Sequence, residues 1–173
     1  MANIQVNRLT NLNIYMNGQS MIGRAEEVNL PEIKHKLAEH KALGMIGTVE
    51  LWSGIDKMEA SIKWNSFYAD AYSVAANPFR TVSIQGRGSM EVYNAAGRVA
   101  QQPVVIYLTG QFKNVPGGNF KQHDNVEITS QMTVTYMKVE INRQEIVEID
   151  VLSNIYKVNG EDMLAEYRAN LGA

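Results

Sequence analysis

Three histidines and one pair of carboxylates are the residues whose types and spacing could do chemistry. His35 and His40 stand five apart, which suits neither a helical metal pair at spacing four nor alternate positions on a strand. His123 sits beside Asp124 in the polar run FKQHDN, where a solvated loop histidine is expected and a general base is the alternative. Glu148 and Asp150 lie two apart on a strand-patterned run and so share a face. Paired acids can do acid–base work or hold a divalent cation, but no further cluster of acidic ligands accompanies them. Gly86-Arg87-Gly88 lacks the strand–turn–helix setting of a phosphate loop. Trp52 and Trp64 could stack on bases, yet with no basic patch they read as packing or interface anchors. There is no Ser/His/Asp order and no nucleophile elbow. The absence of cysteine removes disulfides, thiolate nucleophiles and zinc–thiolate sites. No catalytic, cofactor-binding or metal residue is assigned, and no enzymatic activity is expected.

The elements that would position these residues are mostly strands. At 173 residues the default is one domain over 1–173, with helices as inserts. Lys+Arg 16 against Asp+Glu 18 gives no global basic field for nucleic acid. The opening run MANIQVNRLTNLNIYMNG has no hydrophobic signal core, so synthesis in the cytoplasm without Sec-type export and no stable membrane association are expected.

Leu12, Ile14 and Met16 alternate with polar neighbours and meet Asn17-Gly18, a two-residue hairpin signal. The segment PEIKHKLAEHKALG carries Ile33, Leu37 and Leu43 on a helical stripe between Pro31 and Gly44, and local pattern favours a helix. Val49 to Trp52 reads as a loop. Four strands follow at 58–64, 80–91, 104–113 and 126–141. Between the first two, Ser66 could cap a helix from Phe67 to about Ala76. Turns are expected at Asn142-Arg143 and Asn159-Gly160. Met163, Leu164, Tyr167 and Leu171 form a stripe on a last helix that ends at Gly172.

Each of the four strands presents one apolar and one polar face. The apolar set is Met58, Ile62, Trp64, Val82, Ile84, Ile106, Leu108, Met132, Val134 and Tyr136, expected to pack against the helices. Two readings of the polar face stay open. It is the solvent side of a sandwich, or it is a wall around water whose lumen must stay wet and non-adhesive, for which Thr and Ser hydroxyls on β-prone residues are well suited.

The C-terminal run adds a more specific signal. The "EIVEID" strand at 145–150, the "VNG.D.L" turn at 158–164 and the "R.NLG" ending at 168–172 resemble the major tail tube proteins of contractile-tailed phages, shared with R-type pyocin tubes. The front half agrees in order, through "LNIYMNGQSMIG" at 12–23, "V.LPEIKHKLAEHKALGM" at 28–45 and "MEASIKW" at 58–64.

That resemblance implies a mainly β (α+β) fold with short helices. The subunit would be an antiparallel β-sandwich or barrel contributing strands to the β-barrel of a hexameric ring. It implies rings stacked into a hollow tube inside a contractile sheath. Partners would be other copies of the chain, the tail sheath protein, the tape measure protein and a baseplate tube initiator, with DNA as passing cargo only. The location would be a virion tail or an extracellular contractile particle. The resemblance also implies that 31–44 is partly extended and leads into a long loop, about 44–56, that contacts the neighbouring ring. Under this reading Glu59, Ser61, Lys63, Thr81, Ser83, Gln85, Arg87, Thr109, Gln111, Lys113, Thr129, Gln131, Thr133 and Thr135 line the lumen. The alternatives are a secretion-system tube ring that carries effectors, and a small ligand-binding β-barrel or hydrolase using Glu148, Asp150 and His123.

Overall fold

A computed structural model describes residues 4–172. Met1–Asn3 of the opening run and Ala173 of the C-terminal run lie outside the described residues. The elements run β1 (Val6–Met16), β2 (Gln19–Ser20), β3 (Ala25–Asn29), β4 (His35–His40), β5 (Val49–Ile55), β6 (Met58–Trp64), α1 (Ala69–Ala75), β7 (Val82–Asn94), β8 (Gly97–Phe112), β9 (Ile128–Ile141), β10 (Gln144–Asp150), β11 (Ile155–Val158), β12 (Glu161–Asp162) and α2 (Ala165–Leu171).

Ten of the strands make one antiparallel sheet, and β9 is its spine. Strands β8, β7 and β1 follow one another outward from one edge of β9. The other edge is shared. Its first half, from Ile128 to Val134, pairs with β6, which in turn pairs with β3. Its second half, from Tyr136, pairs with β10, and β11 and β12 continue that branch. The sheet therefore forks at Thr135. Three hairpin turns show why the register is fixed: Asn17-Gly18, Asn142-Arg143 and Asn159-Gly160 each hold two successive residues at positive φ. That geometry matches the strand twist of a two-residue hairpin.

The core lies on the apolar side of this curled sheet. Met58, Ala60, Ile62 and Trp64 alternate inward on β6, opposite Val82, Ile84, Ile106, Leu108, Met132 and Val134, while Ala71, Val74 and Ala75 of α1 close one side. The indole N–H of buried Trp64 donates to the hydroxyl of buried Ser130 at 3.0 Å, which satisfies two polar groups inside the core.

Several expectations need correction. The segment 31–44 is not helical: β4 occupies His35–His40 and pairs with β5, so the extended path implied by the family resemblance holds and the helical stripe is overridden by strand pairing. Nor is 44–56 one long loop, because Val49–Ile55 forms β5. The helix near 67–76 is shorter, with Tyr68 at its N-cap and no side-chain cap, so Ser66 does not play that role. The last helix begins at Ala165, leaving Met163 outside it and Leu164 as its N-cap; it ends as expected with Gly172 in the left-handed region. Among the described residues α2 buries no side chain, so only α1 packs against the apolar strand faces.

Candidate functional site on the polar face of the sheet

The register places the polar residues in transverse rows. Glu59 on β6 faces Thr133 on β9, which faces Gln111 on β8. Ser61 faces Gln131 and Lys63 faces Thr129. On the other flank Ser83 of β7 faces Thr109 of β8, with Gln85 and Arg87 following two and four residues on. Thirteen of the fourteen residues singled out by alternation are thus on, or directly at the end of, the four strands β6, β7, β8 and β9, while Thr81 precedes β7. The row is wet: Glu59, Ser83, Arg87, Gln111, Thr129 and Gln131 are exposed, while Val82, Ile84, Phe112 and Met132 between them are buried.

The alternation of β9 breaks at Thr135. Thr109 pairs with Tyr136 but Gly110 pairs with Val134, so Thr135 is an extra residue on β9, a β-bulge. Past the bulge the faces exchange. Met137 is buried, Val139 and Ile141 pack on the core, and Tyr136 moves to the polar face, where its hydroxyl donates to Glu148 at 2.9 Å. Tyr136 therefore does not belong to the apolar set. The bulge residue itself donates from Oγ1 to the Thr109 carbonyl at 3.3 Å. The signal was present in the sequence: apart from the buried Ser130, polar residues of this strand occupy odd positions up to Thr135 and even positions from Lys138 onward.

The charges on this face are paired. Glu59 lies 3.0 Å from Lys57 and also contacts Lys113, and those hydrogen bonds, Lys113 first, hold its carboxyl below the ordinary value. Lys63 lies 3.0 Å from Glu127 and 3.3 Å from Glu26, and the bond to Glu127 leads in raising its pKa. The Arg87 guanidinium sits over the Tyr15 ring at 5.2 Å.

Beyond the bulge the pairing continues, a feature that alternation alone missed. Lys138 contacts Glu140 at 2.8 Å and Glu145 at 3.3 Å. Glu148 accepts from Lys157 at 2.6 Å, and Asp162 holds Arg168 at 2.5 Å. Burial, then the bond to Glu148, pushes the Tyr136 phenol up to about 12.

The residues weighed first for catalysis do not converge. His35 accepts from the Trp52 indole N–H at 3.2 Å and tilts against Tyr156; His40 pairs with Val49 at the far end of the hairpin. His123 lies in the exposed 113–127 loop with φ +63°. Glu148 is occupied by Lys157 and Tyr136, while Asp150 accepts from Leu152, Ser153 N–H and Ser153 Oγ and so fixes the turn after β10. Among the described residues no cluster of three or more His, Cys, Asp or Glu has metal-binding geometry. Trp64 is a core residue and Trp52 lies on the hairpin.

The chain matches the family model for phage tail tube protein FII over residues 6–172. It is 31% identical over 171 residues to the tail tube protein of Escherichia phage P2, covering 95% of this chain and 96% of that protein. To the major tail tube protein of Serratia phage KSP20 it is 23% identical over 152 residues, covering 87% and 86%. Its fold is similar to a chain of the extended sheath–tube complex of the PVC extracellular contractile injection system, with TM-score 0.56, 9% identity, and coverage of 75% of this chain and 87% of that one. A chain of the sheath/tube terminator of the same system gives TM-score 0.53 at 9% identity, covering 75% and 92%. At that identity the likeness is one of fold.

Proposed function

The chain belongs to the phage tail tube protein FII family, and from that premise we propose how a structural subunit of a contractile tail's inner tube works. Six copies close head to tail into a ring, rings stack into a hollow tube, and the polar face of β6, β7, β8 and β9 becomes the inner wall. Unpaired sheet edges support this reading. The outer edge of β3, and that of β1 before Tyr15, carry no strand partner among the described residues. Closing the sheet through neighbouring copies removes edges that would otherwise invite aggregation.

The single observation that carries the proposal is the wet row itself. A mixed Thr, Ser, Gln and paired-charge surface on four adjacent strands suits a wall that must remain hydrated while cargo slides past. The hairpin β4–β5 is the candidate ring-to-ring contact. It pairs with no other strand among the described residues, and Leu43 and Ile46 at its tip are exposed. In this arrangement the sheath protein packs outside, the tape measure protein fills the channel before ejection, a baseplate component initiates the tube, and DNA passes through. The chain works as one tube domain over 1–173, made in the host cytoplasm without stable membrane association, and the subunit performs no catalysis.

The absence of cysteine makes the test direct. Negative-stain microscopy of the purified chain should show tubes or six-fold rings. Gln131→Cys in assembled tubes should react with a small maleimide and be shielded from one carried on a large polymer, whereas Arg143→Cys should react with both only if its turn lies outside the wall. A Gln131→Cys thiol open to the large reagent in intact tubes would remove this face from the lumen. The fold likeness to an injection-system tube favours one second reading, a tube in a particle without a genome. Purified parent particles lacking nucleic acid would decide for it.

A further inference from the structure

The polar face carries three lysines and three carboxylates in two interlocked groups. Glu59 is shared by Lys57 and Lys113, and Lys63 is shared by Glu26 and Glu127. The partners come from different parts of the chain. Glu26 sits on β3, Glu127 forms the bridge to Asn119 just before β9, and Lys113 follows the end of β8. Such pairs are exposed and contribute little to folding stability. Their effect is on the local potential: the group around Glu59 carries net +1 and the group around Lys63 net −1, so the three lysines and three carboxylates together sum to zero. Of the other cations of the face, Arg87 is engaged on the ring of Tyr15 and Lys138 is held by Glu140 and Glu145.

We propose that Glu26, Glu59 and Glu127 are charge-masking residues that keep Lys57, Lys63 and Lys113 from binding the phosphates of double-stranded DNA at this face. The inference rests on the lumen reading above and deepens it. An unmasked lysine in a ring is repeated in every copy and in every stacked ring, so a weak lysine–phosphate attraction becomes a continuous adhesive track. Each lysine–phosphate contact adds about −0.9 to the slope of log affinity against log salt. Three freed lysines per copy would therefore convert an inert wall into a salt-sensitive binder. Carboxylate partners leave the face hydrated and remove the adhesion.

The test compares two charge-matched triple variants of the full chain. E26Q/E59Q/E127Q removes the masking carboxylates, and E32Q/E39Q/E50Q makes the same net-charge change on and beside the β4–β5 hairpin. Fluorescence anisotropy with a random-sequence duplex oligonucleotide is read at about 50 and 200 mM salt. The expected result is roughly tenfold or greater gain in DNA binding at low salt for the first variant only, with most of it lost at the higher salt. Equal binding by both variants, or no gain in either, would overturn masking. E59Q alone, which frees Lys57 and Lys113, gives the same reading if the triple variant folds poorly. Tube formation and maleimide shielding of Gln131→Cys are scored on the same preparations. A masked face that is fully open to the large reagent in tubes leaves the DNA result intact and sinks only the lumen assignment.

Discussion

A Cβ on Gly110 would lie 1.8 Å from the carbonyl oxygen of Thr133, far inside any non-bonded contact. The two strands approach so closely here because β9 carries its extra residue at Thr135, and the bulge pushes the Thr133 carbonyl into the space above Gly110. Glycine is required by this approach rather than by any turn. Gly110→Ala should therefore displace the bulge and destabilise the fold by at least the ~1–3 kcal/mol typical of overpacking. Chemical denaturation of the soluble subunit measures it, and an unchanged midpoint would contradict the bulge geometry.

The Trp64–Ser130 hydrogen bond makes a second prediction in the core. Ser130→Ala leaves the buried indole N–H without an acceptor, which costs about 1–3 kcal/mol. Trp64→Phe strands the Ser130 hydroxyl and also leaves a void. The double variant removes both unsatisfied groups, so its loss should be smaller than the sum of the two single losses. Strict additivity across the cycle would mean that the bond carries no coupling.

Val134 is a sharper probe of the same core. It is buried against β6 and β8, opposite Met58 and Gly110. Val134→Asp places a carboxylate there with no partner, a penalty larger than a marginally stable fold can absorb. Soluble protein with a native circular dichroism spectrum should be lost, and normal tube yield from the variant would count against this packing.

The Glu148 and Tyr136 pair predicts the shape of the pH–stability curve. The Lys157 bond first, and then Tyr136, hold Glu148 below its ordinary value of 4.5. That contribution is complete above pH 4.5 and is lost as pH falls through the folded value. The Tyr136 phenol is raised from 10.0 to about 12 by burial and by Glu148. Its contribution is complete below pH 10 and is lost as pH rises toward 12. Denaturant midpoints should thus form a plateau between these limits. Glu148→Gln should soften the acid limb only in part, because Glu59, Glu91 and Asp162 are also lowered by their cationic partners. Tyr136→Phe should soften the alkaline limb. An alkaline limb unchanged in Tyr136→Phe would remove this phenol from the account. The double change Glu148→Ala with Asp150→Ala should alter stability or assembly while producing no catalytic turnover.

Much of this was legible in the residues. Period-two alternation located Met58–Trp64 and Val82–Met90 because one face of each strand is buried and the other wet, and Asn-Gly pairs located two of the hairpin turns. The polar row followed from the same alternation. What the sequence hid depended on partners distant along the chain. Leu37 and Leu43 sit at helical spacing, but β4 gains its hydrogen bonds from β5, and no local pattern records that pairing. Ser66 has capping chemistry, yet the chain first runs extended through Tyr68. The exchange of faces at Thr135 was written in the parity of Lys138 and Glu140 but needed Gly110, 25 residues earlier in sequence order, to make room for it. The masking carboxylates were invisible for the same reason, since Glu26 and Glu127 reach Lys63 from opposite flanks of the fold.

The fork of β9 also sets how the subunit can carry force. The branch through β6 and the C-terminal branch through β10 leave the same strand edge in opposite halves, joined there by the covalent chain of a single strand and by the Val151–Thr135 backbone bond. A pull along β9 loads peptide bonds and shears the β8 ladder on one edge and the β6 and β10 ladders on the other, so the unit is stiff in tension. A bending load concentrates at the bulge, where the β8 register shifts and the β6 and β10 ladders both end. The subunit is built like a tendon with one soft joint, and in the proposed tube that joint would let its two halves adjust to curvature while the strand takes an axial jolt.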